Sequence, residues 1–135
     1  MEILFKKNSF WLRYLLVMAL FITACAKEND DDLTDARDKF TGSWTCKETD
    51  NTGVSTSFSI TFEKFGVADS MRITNFAQLG NNVKALVLVN GNALSFPNQT
   101  VDNFSLTNGT GNYANLKITM SYKLDNDSYT AECKR

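Results

Sequence analysis

Histidine is absent from the 135 residues of this chain. Its absence removes the commonest general base, the commonest metal ligand, and any Ser-His or Cys-His nucleophile pair. The acidic pair Asp125 and Asp127 flanks Asn126 in a turn-like cluster, with no apolar surroundings that would separate two carboxyl pKa values. We therefore expect no enzyme activity, no catalytic residues, no bound metal and no cofactor.

An excess of charge of one sign is also lacking. The chain has 14 basic and 15 acidic residues, for a net charge of −1, and acidic side chains cluster at residues 28–32. Proteins that bind nucleic acids need a basic patch to neutralise phosphates. The sequence therefore predicts no nucleic-acid partner.

Apolar runs long enough to span a bilayer, about 20 residues, are missing as well. The longest, from Tyr14 to Ala24, is about half that length and follows Lys6, Lys7 and Arg13, a pattern typical of a secretory signal peptide. It ends in Ile22-Thr23-Ala24-Cys25, which resembles the lipobox of bacterial lipoproteins. The alternative is an ordinary cleaved signal followed by a chance cysteine.

The lipobox resemblance implies that residues 1–24 are removed and that Cys25 carries the lipid anchor. Several acyl chains on one cysteine would hold the protein stably at a membrane. The polar residues 25–33 then form an acidic tether. A similar cluster after the lipidated cysteine accompanies surface display in some Gram-negative bacteria. We therefore expect an outer-membrane lipoprotein at the cell surface, with the periplasmic leaflet as the alternative.

Cysteine is scarce in the rest of the chain: only Cys46 and Cys133 remain. They lie near the two ends of the expected folded part and in an oxidising compartment, where disulfides form readily. The sequence therefore predicts a disulfide between them, with two free thiols as the alternative.

Short segments rich in Val, Ile, Thr, Phe and Tyr alternate with turn clusters along the mature chain. Residues 33–41 favour one short N-terminal helix or a turn. Eight strands are predicted near residues 43–49, 54–63, 69–76, 83–89, 92–96, 101–107, 113–124 and 127–134. Short connections make consecutive strands antiparallel neighbours. The fold class is therefore all-β, an up-and-down meander.

Alternation of apolar and polar residues gives these strands one apolar face each, as in Phe58-Ser59-Ile60-Thr61-Phe62. A meander whose apolar faces all point inward removes exposed edges by closing into a barrel or half-barrel. A bond between Cys46 in the first strand and Cys133 in the last requires those strands to be neighbours. The predicted disulfide thus favours a closed barrel.

Gly42-Ser43-Trp44, at the start of the first strand, resembles the Gly-x-Trp signature of the lipocalin and calycin families. The resemblance implies that Trp44 plugs one end of the barrel under a basic residue of the last strand, Lys134 or Arg135. The layout of "FTGSWTC", "ITNF", "NGNALSFPNQ" and "SYTAECKR" is similar to that of small lipocalin-like lipoproteins. It implies a calycin-like domain over residues 34–135.

The family resemblance raises the question of whether the barrel encloses a ligand. Candidate ligand-lining residues are those that strand parity turns inward: Trp44, Phe58, Phe62, Met71, Ile73, Phe104, Leu116, Ile118, Met120 and Tyr122. The alternative is that they simply fill the interior. One hypothesis is a lipid-anchored binding module for a small apolar ligand or an envelope glycan. The other is a structural or protein-interaction lipoprotein with a filled core.

Overall fold

The computed structural model describes residues 35–67 and 69–135, which form a single antiparallel β-sheet. The predicted signal peptide, the predicted tether and Cys25 lie outside the described residues. The strands of the described part are β1 (Gly42–Asp50), β2 (Ser55–Lys64), β3 (Ser70–Thr74), β4 (Lys84–Asn90), β5 (Ala93–Phe96), β6 (Gln99–Val101), β7 (Phe104–Ala114), β8 (Lys117–Leu124) and β9 (Asp127–Lys134).

The sheet closes on itself as a barrel. Consecutive strands pair with each other except β5 and β6, which both pair with β7 along one edge, and β1 also pairs with β9. The short strands β5 and β6 therefore occupy one strand position between β4 and β7. The predicted eight-stranded, up-and-down barrel is confirmed.

Pro97 explains why one strand position is split into β5 and β6. Proline has no backbone N–H to donate and is excluded from continuous strand pairing. The side chain of Gln99 takes over the missing contacts with β4: its Oε1 accepts from the Leu86 N–H and its Nε2 donates to the Leu86 carbonyl, both at 2.8 Å. A side-chain amide thus replaces a backbone pair and keeps the barrel closed across the break.

The course of β7 differs from the sequence prediction. Strands were predicted at 101–107 and 113–124, with a turn at Asn108-Gly109-Thr110-Gly111, but residues 104–114 form one strand with a bulge between Thr107 and Thr110. The bulge offsets the alternation of inward-facing and outward-facing residues along β7. Leu106 and Gly109, three residues apart, are therefore both buried. A Cβ at Gly109 would lie 2.4 Å from the Cβ of Phe96. Glycine is required there by a close approach, and it does not mark a turn.

The corrected turn positions overturn two inward-facing assignments. Leu116 lies in the Asn115-Leu116 turn between β7 and β8, where its side chain is 77% exposed. Phe104 is the first residue of β7, at the rim of the barrel, and is 36% exposed. Neither residue lines the interior, because each lies beyond the last layer of inward-facing side chains.

Of the two alternatives predicted for residues 33–41, a short helix or a turn, the structure has the second: residues 36–40 form consecutive turns. Asp35 organises them, since its carboxylate accepts from both the backbone N–H and the guanidinium of Arg37. The Arg37 Nη1 in turn donates to the carbonyl of Ser70 at 3.2 Å. These bonds hold the segment against the β2–β3 connection and direct Phe40 into the barrel. Residues 33 and 34 of the predicted segment lie outside the described residues.

The predicted Cys46–Cys133 disulfide is confirmed. Cys46 in β1 lies directly opposite Cys133 in β9, and both side chains are buried inside the barrel. The bond joins the first and last strands, 87 residues apart in sequence. It therefore covalently seals the seam where the meander closes.

The turn residue Leu116 yields a prediction about stability. Asn115 and Leu116 both have positive φ, 52° and 61°, as in the two-residue hairpin turns that favour Asn-Gly. A left-handed conformation costs an L-residue with a Cβ roughly 1–2 kcal/mol relative to glycine. Leu116→Gly should therefore raise the free energy of unfolding by about 1 kcal/mol, measured by urea denaturation.

Asn115→Gly is the matched control, because asparagine already tolerates the left-handed region and should gain less. Equal gains at the two positions, or a loss at position 116, would contradict this account of the turn.

Candidate functional site

One end of the barrel, here called the Phe40 end, is the end at which β1 begins. Phe40 is fully buried there and packs against Phe62 and Tyr113, with ring centroids 6.0 and 5.7 Å away. The indole N–H of Trp44 donates to the carbonyl of Phe40 at 2.7 Å. A phenylalanine from outside the strands thus fills this end of the barrel.

Arg135 covers the same plug from outside. Its guanidinium lies 4.3 Å from the Trp44 ring and donates to the carbonyls of Phe40 and Thr41. Such a cation–π contact contributes about 0.5–1 kcal/mol at an exposed site. Gly42, with a φ of 112°, places its Cα where an added Cβ would lie 3.5 Å from the Arg135 guanidinium. The Gly42-x-Trp44 pattern therefore has a local packing role, and Arg135 supplies the basic residue.

The interior layers contain most of the residues predicted to face inward. Phe58 is partly buried and packs against the core. The fully buried members of the predicted set are Trp44, Phe62, Met71, Ile73, Ile118, Met120 and Tyr122. Their side chains form one continuous apolar cluster with the Cys46–Cys133 disulfide. The structure brings these positions together as a packed core.

The opposite end, here called the Phe76 end, is filled by the connection between β3 and β4. Phe76 is buried in this connection, with its ring centroid 4.6 Å from that of Tyr122 and 5.5 Å from that of Phe96. Asn75, at a φ of 58°, fixes the loop by donating to the Ser59 carbonyl and accepting from the Gly80 N–H. Phe76 therefore plugs this end as Phe40 plugs the other.

Sequence reasoning missed both plugs and the neighbouring acid Glu48. The predicted strand 69–76 ended at Phe76, and Phe40 fell in the segment predicted as a short helix or a turn. For Phe40 the signal was its position four residues before Trp44, which allows the indole to reach the Phe40 carbonyl. The signal for Glu48 was its parity, since it alternates with Trp44 and Cys46 on the inward face of β1.

Glu48 is a carboxylate within an aromatic setting near the Phe76 end. It is 9% exposed, and the hydroxyl of Tyr122 donates to its Oε2. Burial raises the pKa of Glu48, the Tyr122 hydrogen bond partly opposes this shift, and the nearby Asp50 charge adds to it. Burial together with the Glu48 charge raises the pKa of Tyr122 in turn. The pair therefore keeps Tyr122 a neutral donor.

A groove of about 660 Å³ lies on the outside of the barrel wall formed by β1, β9, β8 and β7. Strand register places Thr49, Thr130, Ser121 and Thr110 in one row across it. A second row contains Lys47, Glu132, Thr119 and Asn112. Neighbouring strands are about 4.8 Å apart, so each row spans roughly 14 Å. The groove therefore offers hydroxyl, amide and charged groups to a polar partner.

No group of three or more metal-ligating side chains lies together in residues 35–67 and 69–135. The same residues contain no helix of the length and apolar character needed to cross a bilayer.

Comparison with known proteins supports the fold alone. No protein-family model matches the chain, and no curated protein matches it. A solved structure described as a redesigned beta barrel is similar, with a TM-score of 0.58 and 12% sequence identity. The match covers 76% of this chain and 96% of that one.

The buried Glu48 predicts an unusual pH dependence of stability. A pKa raised by folding means that the native state holds the proton more tightly than the unfolded state. The stability associated with Glu48 is therefore greatest at low pH and is lost as pH rises through the raised pKa. Glu48→Gln, which retains an oxygen to accept from Tyr122, should abolish this decline in urea denaturation measured across the acidic range.

Glu132→Gln is the matched control with the opposite sign. Glu132 is exposed, and its hydrogen bond with Lys134, followed by the charges of Lys117 and Lys134, lowers its pKa. The stability that it contributes is lost as pH falls through the lowered pKa. Parallel pH profiles for the two variants would show that Glu48 titrates normally.

Proposed function

We propose that this chain is a lipid-anchored, extracytoplasmic interaction module of lipocalin-like form that binds its partner on the outside of a filled barrel. The observation that carries the proposal is the double plug. Phe40 and Phe76 enter the barrel from opposite ends, and the layers between them are packed with aromatic and aliphatic side chains. An interior filled in this way leaves the outer wall to make the contacts.

The anchoring part of the proposal rests on the sequence Ile22-Thr23-Ala24-Cys25. Acylation of Cys25 would place the module at the outer membrane, on the cell surface in the version we favour. The Cys46–Cys133 disulfide agrees with an oxidising compartment. The aromatic packing at both ends lets the domain act as a compact body at the end of a short tether.

The binding part of the proposal rests on the groove of β1, β9, β8 and β7. Its two rows of side chains carry hydroxyl, amide and charged groups that can donate or accept hydrogen bonds. Hydroxyl and amide groups of this kind form hydrogen bonds with polar surfaces. We therefore favour a polar envelope protein as the partner. The hydroxyl row makes an envelope glycan the second candidate.

Anchoring is tested by Cys25→Ser. The substitution removes the thiol that would accept the lipid, so the protein should move from the membrane fraction to the soluble fraction after cell lysis. Thr23→Ser, which keeps a small residue in the lipobox, is the control and should remain membrane-bound. Unchanged fractionation of Cys25→Ser would overturn the lipoprotein assignment.

Partner binding is tested by photo-crosslinking in cells. A photoreactive amino acid at Ser121, in the middle of the groove, should give a discrete adduct with an envelope component. The control position is Lys84 on β4, which lies on the far side of the barrel ring and should give none. A protein adduct supports the favoured partner, and an adduct sensitive to glycosidases indicates the glycan.

The filled interior can be checked on the same material. Native mass spectrometry of the folded protein should show the mass of the chain with its covalent lipid and nothing further. A second, non-covalently bound lipid retained by the folded barrel would contradict the proposal and favour the small-ligand hypothesis.

A further inference from the structure

Two apolar side chains are exposed at the tips of turns at the Phe40 end. Leu116, between β7 and β8, is 77% exposed, and Val67, between β2 and β3, is 81% exposed. Soluble surfaces show single exposed apolar residues often. Leu116 is more informative, because it occupies a left-handed position at a hairpin tip where glycine would be more stable. Its apolar side chain is thus held in water at a conformational cost.

The topology places these two tips on opposite sides of the same end. In the closed ring, β2 and β3 are separated from β7 and β8 by β1 and β9 on one side and by β4 and β5 on the other. Both connections lie at the end where β1 begins and β9 finishes. The two apolar tips therefore lie on either side of the Phe40 plug. One flat surface could contact both tips at the same time.

The charges at the two ends differ in sign. At the Phe40 end, Asp35 and Asp38 are neutralised by Arg37 and Lys64, and Glu132 faces both Lys117 and Lys134. Further basic side chains at this end belong to Lys39, Arg72 and Arg135, and further acidic ones to Glu63 and Asp69, so basic groups remain in excess. The turns at the Phe76 end carry Asp50, Asp102, Asp125 and Asp127, with Lys123 nearby. An anionic surface would therefore attract the Phe40 end of the barrel and repel the Phe76 end.

From these observations we infer that the Phe40 end docks on the lipid surface, with Leu116 and Val67 entering the interface and the basic side chains facing lipid phosphates. The inference rests on the proposed anchoring at Cys25. Nine residues, 26–34, separate Cys25 from Asp35, which lies at the Phe40 end. That stretch can reach at most about 35 Å when extended. The two apolar tips and the excess of basic side chains thus lie at the end of the barrel where the described chain begins.

Docking at the Phe40 end also determines how the rest of the domain is oriented relative to the membrane. Strands run between the two ends, so the groove of β1, β9, β8 and β7 stands upright on the membrane, open to the side. The acidic Phe76 end points away from the lipid. This orientation leaves the proposed partner surface free while the domain is docked.

The experiment uses full-length protein processed in a Gram-negative host and reconstituted into vesicles of phosphatidylethanolamine and phosphatidylglycerol. Leu116→Cys, Val67→Cys and Asn126→Cys are labelled with one environment-sensitive fluorophore. Cys46 and Cys133 are bonded to each other, so the introduced thiol is the one to react once Cys25 is acylated. Asn126 lies in the β8–β9 turn at the Phe76 end and serves as the matched control.

Quenching of the fluorophore by lipids spin-labelled near the glycerol backbone should be severalfold stronger at positions 67 and 116 than at position 126. Equal quenching at all three positions, or stronger quenching at 126, would overturn the docking. Flotation of the vesicles reports separately on the anchor. Protein that fails to float shows that the proposed lipidation is wrong, whereas protein that floats with uniform quenching shows that only the docking is wrong.

Leu116→Gly provides a second test that does not depend on a weakened fold. The substitution relieves the strained turn, so the barrel itself should persist. In the Val67→Cys background it should lower the quenching at position 67, because one of the two contacts with the lipid is lost. Asn115→Gly, in the same turn, should leave that quenching unchanged. Unchanged quenching in Leu116→Gly would show that Leu116 makes no contact with the membrane.

Discussion

The pairing of β1 with β9 is the contact on which the rest of the structure depends. Without it, the strands would form an open sheet with two free edges and one apolar face in water. The register Cys46 opposite Cys133 fixes this seam covalently. In the chain-entropy description, a disulfide closing a loop of this length contributes about 4–5 kcal/mol. That is a large share of the stability of a domain of this size.

The seam was predictable because three independent signals agreed: cysteines near both ends of the folded part, apolar alternation in strands such as β2 and β8, and short connections. The course of β7 was not. Gly109 and Gly111 look like turn residues when the local sequence is considered alone. They are glycines because Phe96 and Leu94 of β5 leave no room for a Cβ on that strand. A close approach between strands distant in sequence cannot be seen in local composition. The turn at Leu116 was missed for the same reason. Because β7 was predicted at the wrong residues, this turn was included in a predicted strand.

The plugs show a related limit of sequence reasoning about the interior. Strand parity indicated which residues point inward, and Met71, Ile118 and Tyr122 among others are indeed in the core. Parity says nothing about side chains that enter from the ends. Phe40 and Phe76 come from segments that lack the apolar–polar alternation of a strand. Their positions are set by hydrogen bonds such as the one from the Trp44 indole N–H to the Phe40 carbonyl. Strand parity alone therefore left the choice between a ligand pocket and a filled core open.

The Phe40 plug links the proposed anchoring to the fold. The segment that leads from the tether into β1 is the same one that carries Phe40, and it is held by Arg37, Trp44 and Arg135. Arg135 follows the last strand, so the first and last parts of the described chain clamp one another at this end. A tether attached there would join the barrel beside this clamp. Force from the proposed membrane anchor would thus fall on the packed rings around Phe40 and on the disulfide-sealed β1–β9 seam.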